Sequence, residues 1–334
     1  MNNTQIQSIL TPGKKIVITT HKSPDGDALG SSLALQHILQ KKQCHVSIVV
    51  PNDFPDFLSW LPQSNQIING EKQTDEAQKA MAESEIIFCL DFNALSRIEG
   101  IDNWVRESKA FKIMIDHHQR PEDFTDFCIS DTSKSSTCEM IYDFIEFLGY
   151  TEEIDEAIAE CIYCGLVTDT GSFRHPGTSA RTHQIVAQLI AKGLNNSLVH
   201  QKLFDNNTVS RVKVLGYCLN SMEIAPEIES AIFSMSEKTA QQLNMKKGDS
   251  EGVVNFGLSI STVKCAAFFR EDDGKIKISF RSKNDLDVSI FAQEHFEGGG
   301  HKNASGAASF IGLKSTVRKF KELLPLYAEQ LSQN

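Results

Sequence analysis

The sequence has no apolar run long enough to cross a membrane, and its N-terminal stretch MNNTQIQSILTPGKK lacks the apolar core of a signal peptide. Its eight cysteines do not follow the spacing of a disulfide framework. These absences argue against a membrane protein and against a secreted protein stabilised by disulfides. We therefore expect a cytoplasmic protein in a reducing compartment.

Basic residues are also in short supply, with 33 against 43 acidic ones and a formal net charge of −10. A protein that follows long nucleic acid along its phosphates usually presents a basic face. Aromatic residues make up 8% of the chain and do not alternate with basic ones, so no stacking platform for single strands is visible. We expect no binding of long duplex nucleic acid; an anionic substrate should be small or have its phosphates bound by metal ions.

One cysteine pair, Cys161 and Cys164, has the C-x-x-C spacing found in some zinc and redox sites. The surrounding EIDEAIAECIYCGLV has the pattern of an apolar helix, and the sequence offers no second pair to complete a zinc site. We interpret both residues as buried helix cysteines.

The first half of the chain alternates strand-like and helix-like segments. Helical patterns separate its β-rich runs and then dominate from about residue 135 to 217, interrupted by a loop at 168–182. This alternation is typical of an α/β domain with a mainly parallel sheet flanked by helices. The four β-rich runs lie at 15–20, 45–50, 85–92 and 111–118.

From about residue 226 the pattern changes to strand-like runs such as VKCAAFFRE and KIKISFRS, with helical segments between and after them. This texture predicts a second, smaller α+β domain. We assign residues 1–190 to the first domain, 191–225 to a helical connector and 226–334 to the second domain. The active site is expected in a cleft between the two domains.

Residue types that bind metals recur where the predicted strands end. Because the carboxyl ends of parallel strands meet at one sheet edge, these groups should converge there. Several carboxylates at one edge would repel each other unless cations neutralised them. Mixed carboxylate and imidazole ligands suit Mn²⁺, Mg²⁺, Fe²⁺ or Zn²⁺, and two bridged metals would use this many ligands. The candidates are His21, Asp25, Asp27, Asp91, Asp116, His117, His118 and Asp169.

Each motif alone has an ordinary structural interpretation. The H-x-x-x-D-x-D pattern fits a solvated turn with an aspartate capping the next helix. The D-H-H triplet fits a structural polar cluster, and Asp169 fits a turn before Gly171. The joint occurrence of these motifs, each at a strand or helix end, favours a metal centre.

The order of HKSPDGDALGSS, LDFNALSRI, IDHH and GLVTDTGSF resembles the four motifs of the DHH phosphoesterase superfamily. The later EGGGHKNASGAA, at 297–308, resembles the signature of the DHHA1 domain found in one of its branches. The resemblance implies a catalytic DHH domain followed by a substrate-binding DHHA1 domain, and a homodimer. In its compact organisation the chain is similar to the branch that degrades very short RNA and dephosphorylates 3′-phosphoadenosine 5′-phosphate (pAp).

The same resemblance implies two divalent metal ions, expected to be Mn²⁺, with Mg²⁺ or Fe²⁺ as alternatives. Asp91 would bridge the two ions, and every expected ligand is present in the sequence. The first site would comprise His21, Asp25 and Asp91, and the second Asp27, Asp91, His117 and Asp169.

For catalysis the resemblance implies that His118 faces the substrate phosphate or the leaving oxygen. Asp116 would orient an imidazole, as metal-bound histidines usually require. Together with the bridging Asp91, these residues would support attack on phosphorus by a metal-activated water.

The second domain is expected to supply the substrate contacts. Backbone N–H groups of the GGGH run could approach a phosphate closely, although an ordinary glycine loop between a helix and a strand is the alternative. An arginine could bind a phosphate through two hydrogen bonds or stack on a base. The predicted contacts are Arg281, Gly298, Gly299, Gly300, His301 and Asn303.

The sequence thus predicts a metal-dependent phosphohydrolase that degrades very short oligoribonucleotides to nucleoside 5′-monophosphates and acts on the nucleotide bisphosphate pAp. A cyclic- or linear-dinucleotide phosphodiesterase, and an exopolyphosphatase or pyrophosphatase, remain alternatives with the same chemistry. An exopolyphosphatase or a pyrophosphatase of this superfamily has a different second domain, which would not be expected to contain GGGHKNASG. A non-catalytic nucleotide-binding regulatory protein should have lost metal ligands, and this sequence has not.

Overall fold

The computed structural model describes residues 3–205 and 207–327, which divide into two compact units at residue 207. The division falls inside the 191–225 segment that the sequence analysis assigns to a connector. The helix before it packs within the first unit and the helix after it packs within the second. Among the helices of these residues, none has the length and apolar character needed to cross a bilayer.

The first unit is built on a parallel sheet whose strands alternate with helices. Its strands are β1 Lys15–Thr19, β2 His45–Val50, β3 Ile68–Asn69, β4 Ile86–Leu90, β5 Phe111–Asp116 and β6 Phe127–Ser130. They lie side by side in the order β3-β2-β1-β4-β5-β6, all parallel. The sequence pattern does not indicate the two edge strands. β3 is only two residues long, and β6 is only half-buried and therefore not a continuous apolar run. The parallel α/β architecture predicted from the sequence is confirmed.

Helices cover both faces of this sheet, as a parallel sheet requires. They are α1 Asn3–Ile9, α2 Gly26–Lys41, α3 Thr74–Glu83, α4 Asp102–Glu107, α5 Thr137–Phe147, α6 Glu156–Asp169, α7 Ala180–Ala191 and α8 Asn196–Phe204. One hydrophobic core lies between the sheet and helices α2, α5 and α6, which cover one of its faces. A second, smaller core lies on the face that carries α3 and α4. Cys161 and Cys164 are fully buried on α6, as interpreted from the sequence.

Two glycines allow α2 and α6 to approach closely. A Cβ atom at Gly30 would lie 2.4 Å from the carbonyl oxygen of Cys161, and one at Gly165 would lie 2.6 Å from Asp27 Oδ1. Any larger residue would therefore push the helices apart. This close packing matters for function because α2 carries Asp27 and α6 ends at Asp169.

The second unit is an α+β domain, as predicted, and its sheet is mixed. Its strands are β7 Glu223–Ala225, β8 Ser230–Met235, β9 Cys265–Asp272, β10 Lys275–Ser282, β11 Glu297–His301 and β12 Ala304–Ser309. Its helices are α9 Val209–Asn220, α10 Glu237–Gln242, α11 Val253–Leu258, α12 Val288–His295 and α13 Leu313–Leu323. The strand order is β11-β12-β10-β9-β8-β7, antiparallel except between β8 and β9. Clustered phenylalanine rings, among them Phe269, Phe280, Phe291 and Phe320, fill its core.

The terminal helix is shorter than the pattern TVRKFKELLPLYAEQL suggests. Helix α13 ends at Leu323 and a 3₁₀ turn, Leu324–Tyr327, follows it. Pro325 accounts for the change, since proline cannot continue the helical hydrogen-bond ladder. The rest of the pattern lies outside the described residues.

Candidate metal centre

Three neighbouring strands of the first unit bring metal-binding side chains to one edge of the sheet. His21 follows β1, Asp91 directly follows β4, and Asp116 ends β5 with His117 after it. Since β4 lies between β1 and β5, Asp91 stands between the groups carried by the other two strands. The carboxyl ends of parallel strands are where α/β proteins place their ligands.

The first group of candidate ligands comprises His21, Asp25 and Asp91. His21 Nε2 lies 3.4 Å from Asp91 Oδ2 and 3.9 Å from Asp25 Oδ1. Asp25 is also the N-cap of α2, where Oδ1 accepts the N–H groups of Asp27 and Ala28. The capping interpretation is therefore correct for Asp25, and the cap holds the oxygen that faces His21.

The second group comprises Asp27, His117 and Asp169, with Asp91 alongside. His117 Nε2 lies 3.5 Å from Asp169 Oδ2, 3.7 Å from Asp91 Oδ1 and 4.0 Å from Asp27 Oδ2. Residues from two strand ends and two helix ends therefore meet around a single imidazole.

Asp91 belongs to both groups. Its Oδ2 faces His21 and its Oδ1 faces His117, and its side chain is almost fully buried. The backbone of Asp91 has φ +63°, in the left-handed region that aspartate tolerates better than most residues. Such backbone strain is typical of functional sites, and here it turns the chain sharply at the end of β4.

The spacing of these atoms fits divalent cations. Separations of 3.4–4.0 Å are mostly too long for good hydrogen bonds. Two ligand atoms, each about 2.1 Å from one ion and near a tetrahedral angle, lie about 3.4 Å apart. Imidazole with carboxylate is a donor set suited to Mn²⁺, Fe²⁺ and Zn²⁺. Ligand atoms within 4.8 Å of one another form three groups: His21–Asp25–Asp91, Asp27–His117–Asp169 and Asp91–His117–His118.

The buried carboxylates carry an electrostatic cost. Burial, followed by the charges of Asp91 and Asp169, raises the pKa of Asp27 well above its usual range. Burial also raises the pKa of Asp169 to about 7, with the charge of His117 opposing the shift and that of Asp91 adding to it. A divalent cation between these groups would relieve this repulsion.

The histidines respond in the opposite sense. Burial lowers the pKa of His21, but its hydrogen bond to Asp91 and the charges of Asp25 and Asp91 outweigh burial and raise the pKa to about 9. The charges of Asp169 and Asp91 likewise outweigh burial and raise the pKa of His117 to about 9. For Asp91, burial is outweighed by the hydrogen bond and charge of His21, which lower its pKa well below the usual range.

His118 is held differently from His117. Its Nδ1 donates to Asp116 Oδ1 at 2.7 Å, and its backbone N–H donates to Asp116 Oδ2 at 2.9 Å. Asp116 is fully buried, and the ring of His118 places Nδ1 3.8 Å from Asp91 Oδ1. Because Asp116 occupies that nitrogen, His118 is less suited than His117 to bind a metal through it. The imidazole that Asp116 orients is thus the ring of His118.

The N-terminus of α5 completes the surroundings of the cluster, and the sequence analysis did not identify it. The backbone N–H groups of Thr137 and Cys138 donate to the two oxygens of Asp27 at 2.6 and 2.8 Å. The Ser136–Glu139 spacing is a capping signature that predicts a helix start here. It gives no sign of which carboxylate that helix would meet.

In the second unit, three of the predicted substrate contacts lie at one end of the sheet. Arg281, near the end of β10, is opposite Ala304 of β12, and Ala304 is opposite His301 of β11. Asn303 donates its amide N–H to Ser282 Oγ at 2.9 Å, which ties the start of β12 to the end of β10. Local strand pairing therefore places these residues at the same end of the sheet, with β12 between Arg281 and His301.

The glycine run of the second unit forms strand β11 rather than a loop. β11 is an edge strand of the described sheet and pairs with β12. A Cβ atom at Gly298 would lie 2.3 Å from the carbonyl oxygen of Gly306, and Gly300 has φ +148°. Close strand pairing accounts for at least these two glycines without any ligand.

Arg281 is largely buried, and one of its guanidinium nitrogens donates to the carbonyl oxygen of Phe280 at 2.9 Å. Burial lowers its pKa. Arg181, in the first turn of α7, forms ion pairs with Asp143 and Glu146. Those pairs account for Arg181 within the first unit.

Two family models match parts of this chain. Residues 15–166 match the family model of the DHH family, N-terminal domain, and residues 232–330 match that of the DHHA1 domain. The crystal structure of an exopolyphosphatase-related protein from Bacteroides fragilis is 39% identical, with a TM-score of 0.96 over 99% of this chain and 97% of that one.

Two curated relatives carry functional names. The bifunctional oligoribonuclease and PAP phosphatase NrnA of Bacillus subtilis is 28% identical over 88% of this chain and 89% of its own length. The cyclic-di-AMP phosphodiesterase GdpP of the same species is 25% identical over 97% of this chain but only 49% of its own length. The NrnA likeness thus extends over most of both proteins.

Proposed function

The chain belongs to the DHH family and carries a DHHA1 domain, and we propose that it is a divalent-metal-dependent phosphohydrolase of very short oligoribonucleotides. The observation that carries this proposal is the pair of ligand groups that share Asp91. The cluster brings four aspartates together, of which Asp27 and Asp91 are buried, and each further carboxylate adds repulsion that a purely structural role would not require.

We assign His21, Asp25 and Asp91 to one ion, and both ions are expected to be Mn²⁺. The other ion is assigned to the His117 group, which comprises Asp27, Asp91, His117 and Asp169. When bound, such a pair lowers the pKa of a water and neutralises phosphoryl oxygens. The protein's part is to hold the ligands in place: Asp25 is fixed as a helix cap, and Asp27 accepts two backbone N–H groups.

We assign proton transfer to His118. Asp116 accepts a hydrogen bond from Nδ1–H, which fixes the orientation of the ring and directs Nε2 away from Asp116. Nε2 is then the nitrogen that can give a proton to the departing oxygen. His118 adjoins Asp91, which places this proton next to the proposed metal cluster.

The second unit is proposed to bind the rest of the substrate. Arg281 would pair with a phosphate or stack on a base, and His301, Asn303 and the N–H groups of 298–300 would bind phosphate or sugar. The substrate class is inferred from NrnA, whose name gives oligoribonuclease and PAP phosphatase activity. We propose nucleoside 5′-monophosphates as products and pAp as a second substrate.

The test is turnover of a substrate panel by purified protein with Mn²⁺. The panel holds an RNA dinucleotide, pAp, a long RNA, a cyclic dinucleotide, pyrophosphate and polyphosphate. We expect hydrolysis of the dinucleotide and pAp and little of the long RNA. Turnover of pyrophosphate alone would overturn the substrate class.

A second candidate, exopolyphosphatase, is favoured by the 39% identical relative from Bacteroides fragilis, which is described as exopolyphosphatase-related. The same fold and metal ligands would serve either reaction, since both break a phosphorus–oxygen bond. Preferential hydrolysis of polyphosphate over the dinucleotide would select this candidate and leave the metal assignments intact.

A further inference from the structure

One residue at the start of α5 contacts both halves of the metal cluster. The backbone N–H of Thr137 donates to Asp27 Oδ2 at 2.6 Å, and its hydroxyl donates to Asp91 Oδ1 at 2.8 Å. Thr137 is fully buried. A buried hydroxyl that loses its hydrogen-bond partner destabilises the protein, and the partner of this hydroxyl is Asp91.

The direction of the Asp91 carboxylate decides whether the two ligand groups can share it. Its Oδ2 lies 3.4 Å from His21 Nε2, while its Oδ1 lies 3.7 Å from His117 Nε2. The terminal torsion of an aspartate is broad and roughly two-fold. The backbone at Asp91 therefore does not by itself determine which group each oxygen faces.

We infer that Thr137 is a positioning residue that fixes the plane of the Asp91 carboxylate so that each ligand group receives one oxygen. The inference rests on the proposed function, because it concerns the sharing of Asp91 between two ions. The hydroxyl uses one lone pair of Oδ1 and leaves the other for the His117 group. Without it, the carboxylate is able to turn and serve one group at the expense of the other.

The two contacts of Thr137 can be separated by substitution. Thr137→Val keeps the shape of the side chain and the backbone N–H to Asp27 but removes the hydroxyl. Thr137→Ser keeps the hydroxyl. Thr316→Val is a matched control, since it removes a buried hydroxyl that bonds Ser309 and Gly312 in the second unit.

The measurements are Mn²⁺ titration by calorimetry, electron paramagnetic resonance of the bound manganese, thermal unfolding, and hydrolysis of the RNA dinucleotide. We expect Thr137→Val to weaken binding of one of the two ions and to slow hydrolysis by about 10- to 100-fold. The resonance of a coupled manganese pair should give way to that of separate ions. Thr137→Ser should resemble the wild type in manganese binding, in the resonance signal and in hydrolysis. Thr316→Val should lower thermal stability and leave manganese binding and hydrolysis unchanged.

The inference is overturned if Thr137→Val keeps the coupled manganese signal and wild-type hydrolysis. It is also overturned if Thr137→Ser fails as completely as the valine variant, since packing rather than the hydroxyl would then be responsible. A wild-type protein that binds no manganese pair, or that hydrolyses nothing in the panel, refutes the proposed function itself before any variant is compared.

Discussion

The two units gather their polar residues in different ways. In the first unit, residues as far apart in the chain as His21 and Asp169 meet because parallel strands end at one edge and α2 packs closely on α6. In the second unit, Arg281, His301 and Asn303 lie at the same end of a sheet because neighbouring antiparallel strands pair locally. The first arrangement concentrates buried charge that a cation would relieve. The second contains the largely buried Arg281 and is held by hydrogen bonds such as that from Asn303 to Ser282.

The difference indicates a division of labour. A site that concentrates carboxylates is suited to metal ions and to the reacting phosphate, while an arginine among neutral donors is suited to recognition. Substitutions of the clustered carboxylates in the first unit should therefore abolish hydrolysis. Substitutions of the predicted contacts in the second unit should weaken substrate binding.

The largest effect is expected for Asp91→Asn. The variant removes the negative charge that both ligand groups share, and we expect hydrolysis of the dinucleotide to fall by at least about a thousandfold. The measurement is kcat/KM with saturating Mn²⁺. Circular dichroism and thermal unfolding serve as controls for folding, and retained turnover in a folded variant would mean that the bridge is misplaced.

Manganese should stabilise the first unit and leave the second unchanged. A ligand at a hundred times its Kd stabilises the folded state by about 2.7 kcal/mol. Hydrogen exchange with and without Mn²⁺ should therefore show added protection in α2, α5 and α6 and none in β9 or β10. Equal protection of both units, or none in either, would contradict the separation of roles.

Arg281→Gln tests the second unit. A charge-assisted hydrogen bond is worth about 1.5–3 kcal/mol, so kcat/KM should fall about 10- to 100-fold, chiefly through KM. Arg270→Gln is the matched control, because Arg270 lies on the same sheet and pairs with Asp272. A fall in kcat with unchanged KM, or an equal loss in the control, would count against a substrate contact at Arg281.

The sequence predicts most of the first unit because its strands are continuous apolar runs and its polar residues mark their ends. It does not predict that the N-terminus of α5 meets Asp27, since that contact depends on helix packing through Gly30 and Gly165. In the second unit, the GGG run suggested backbone N–H groups that approach a phosphate. Glycine is equally required where paired strands leave no room for a side chain, and a single sequence does not distinguish these two causes.

The smallest expected effect is proton release when manganese binds. In the metal-free protein the pKa values of His21 and His117 are raised to about 9, so both rings are protonated at neutral pH. A metal binds the neutral imidazole and must displace these protons, whereas above pH 9 the rings have already lost them. Calorimetry in two buffers of different ionisation enthalpy should show net proton release at neutral pH that declines towards pH 9. Binding without release at neutral pH would show that these imidazoles are not ligands, and the first unit would then lose the feature that separates it from the second.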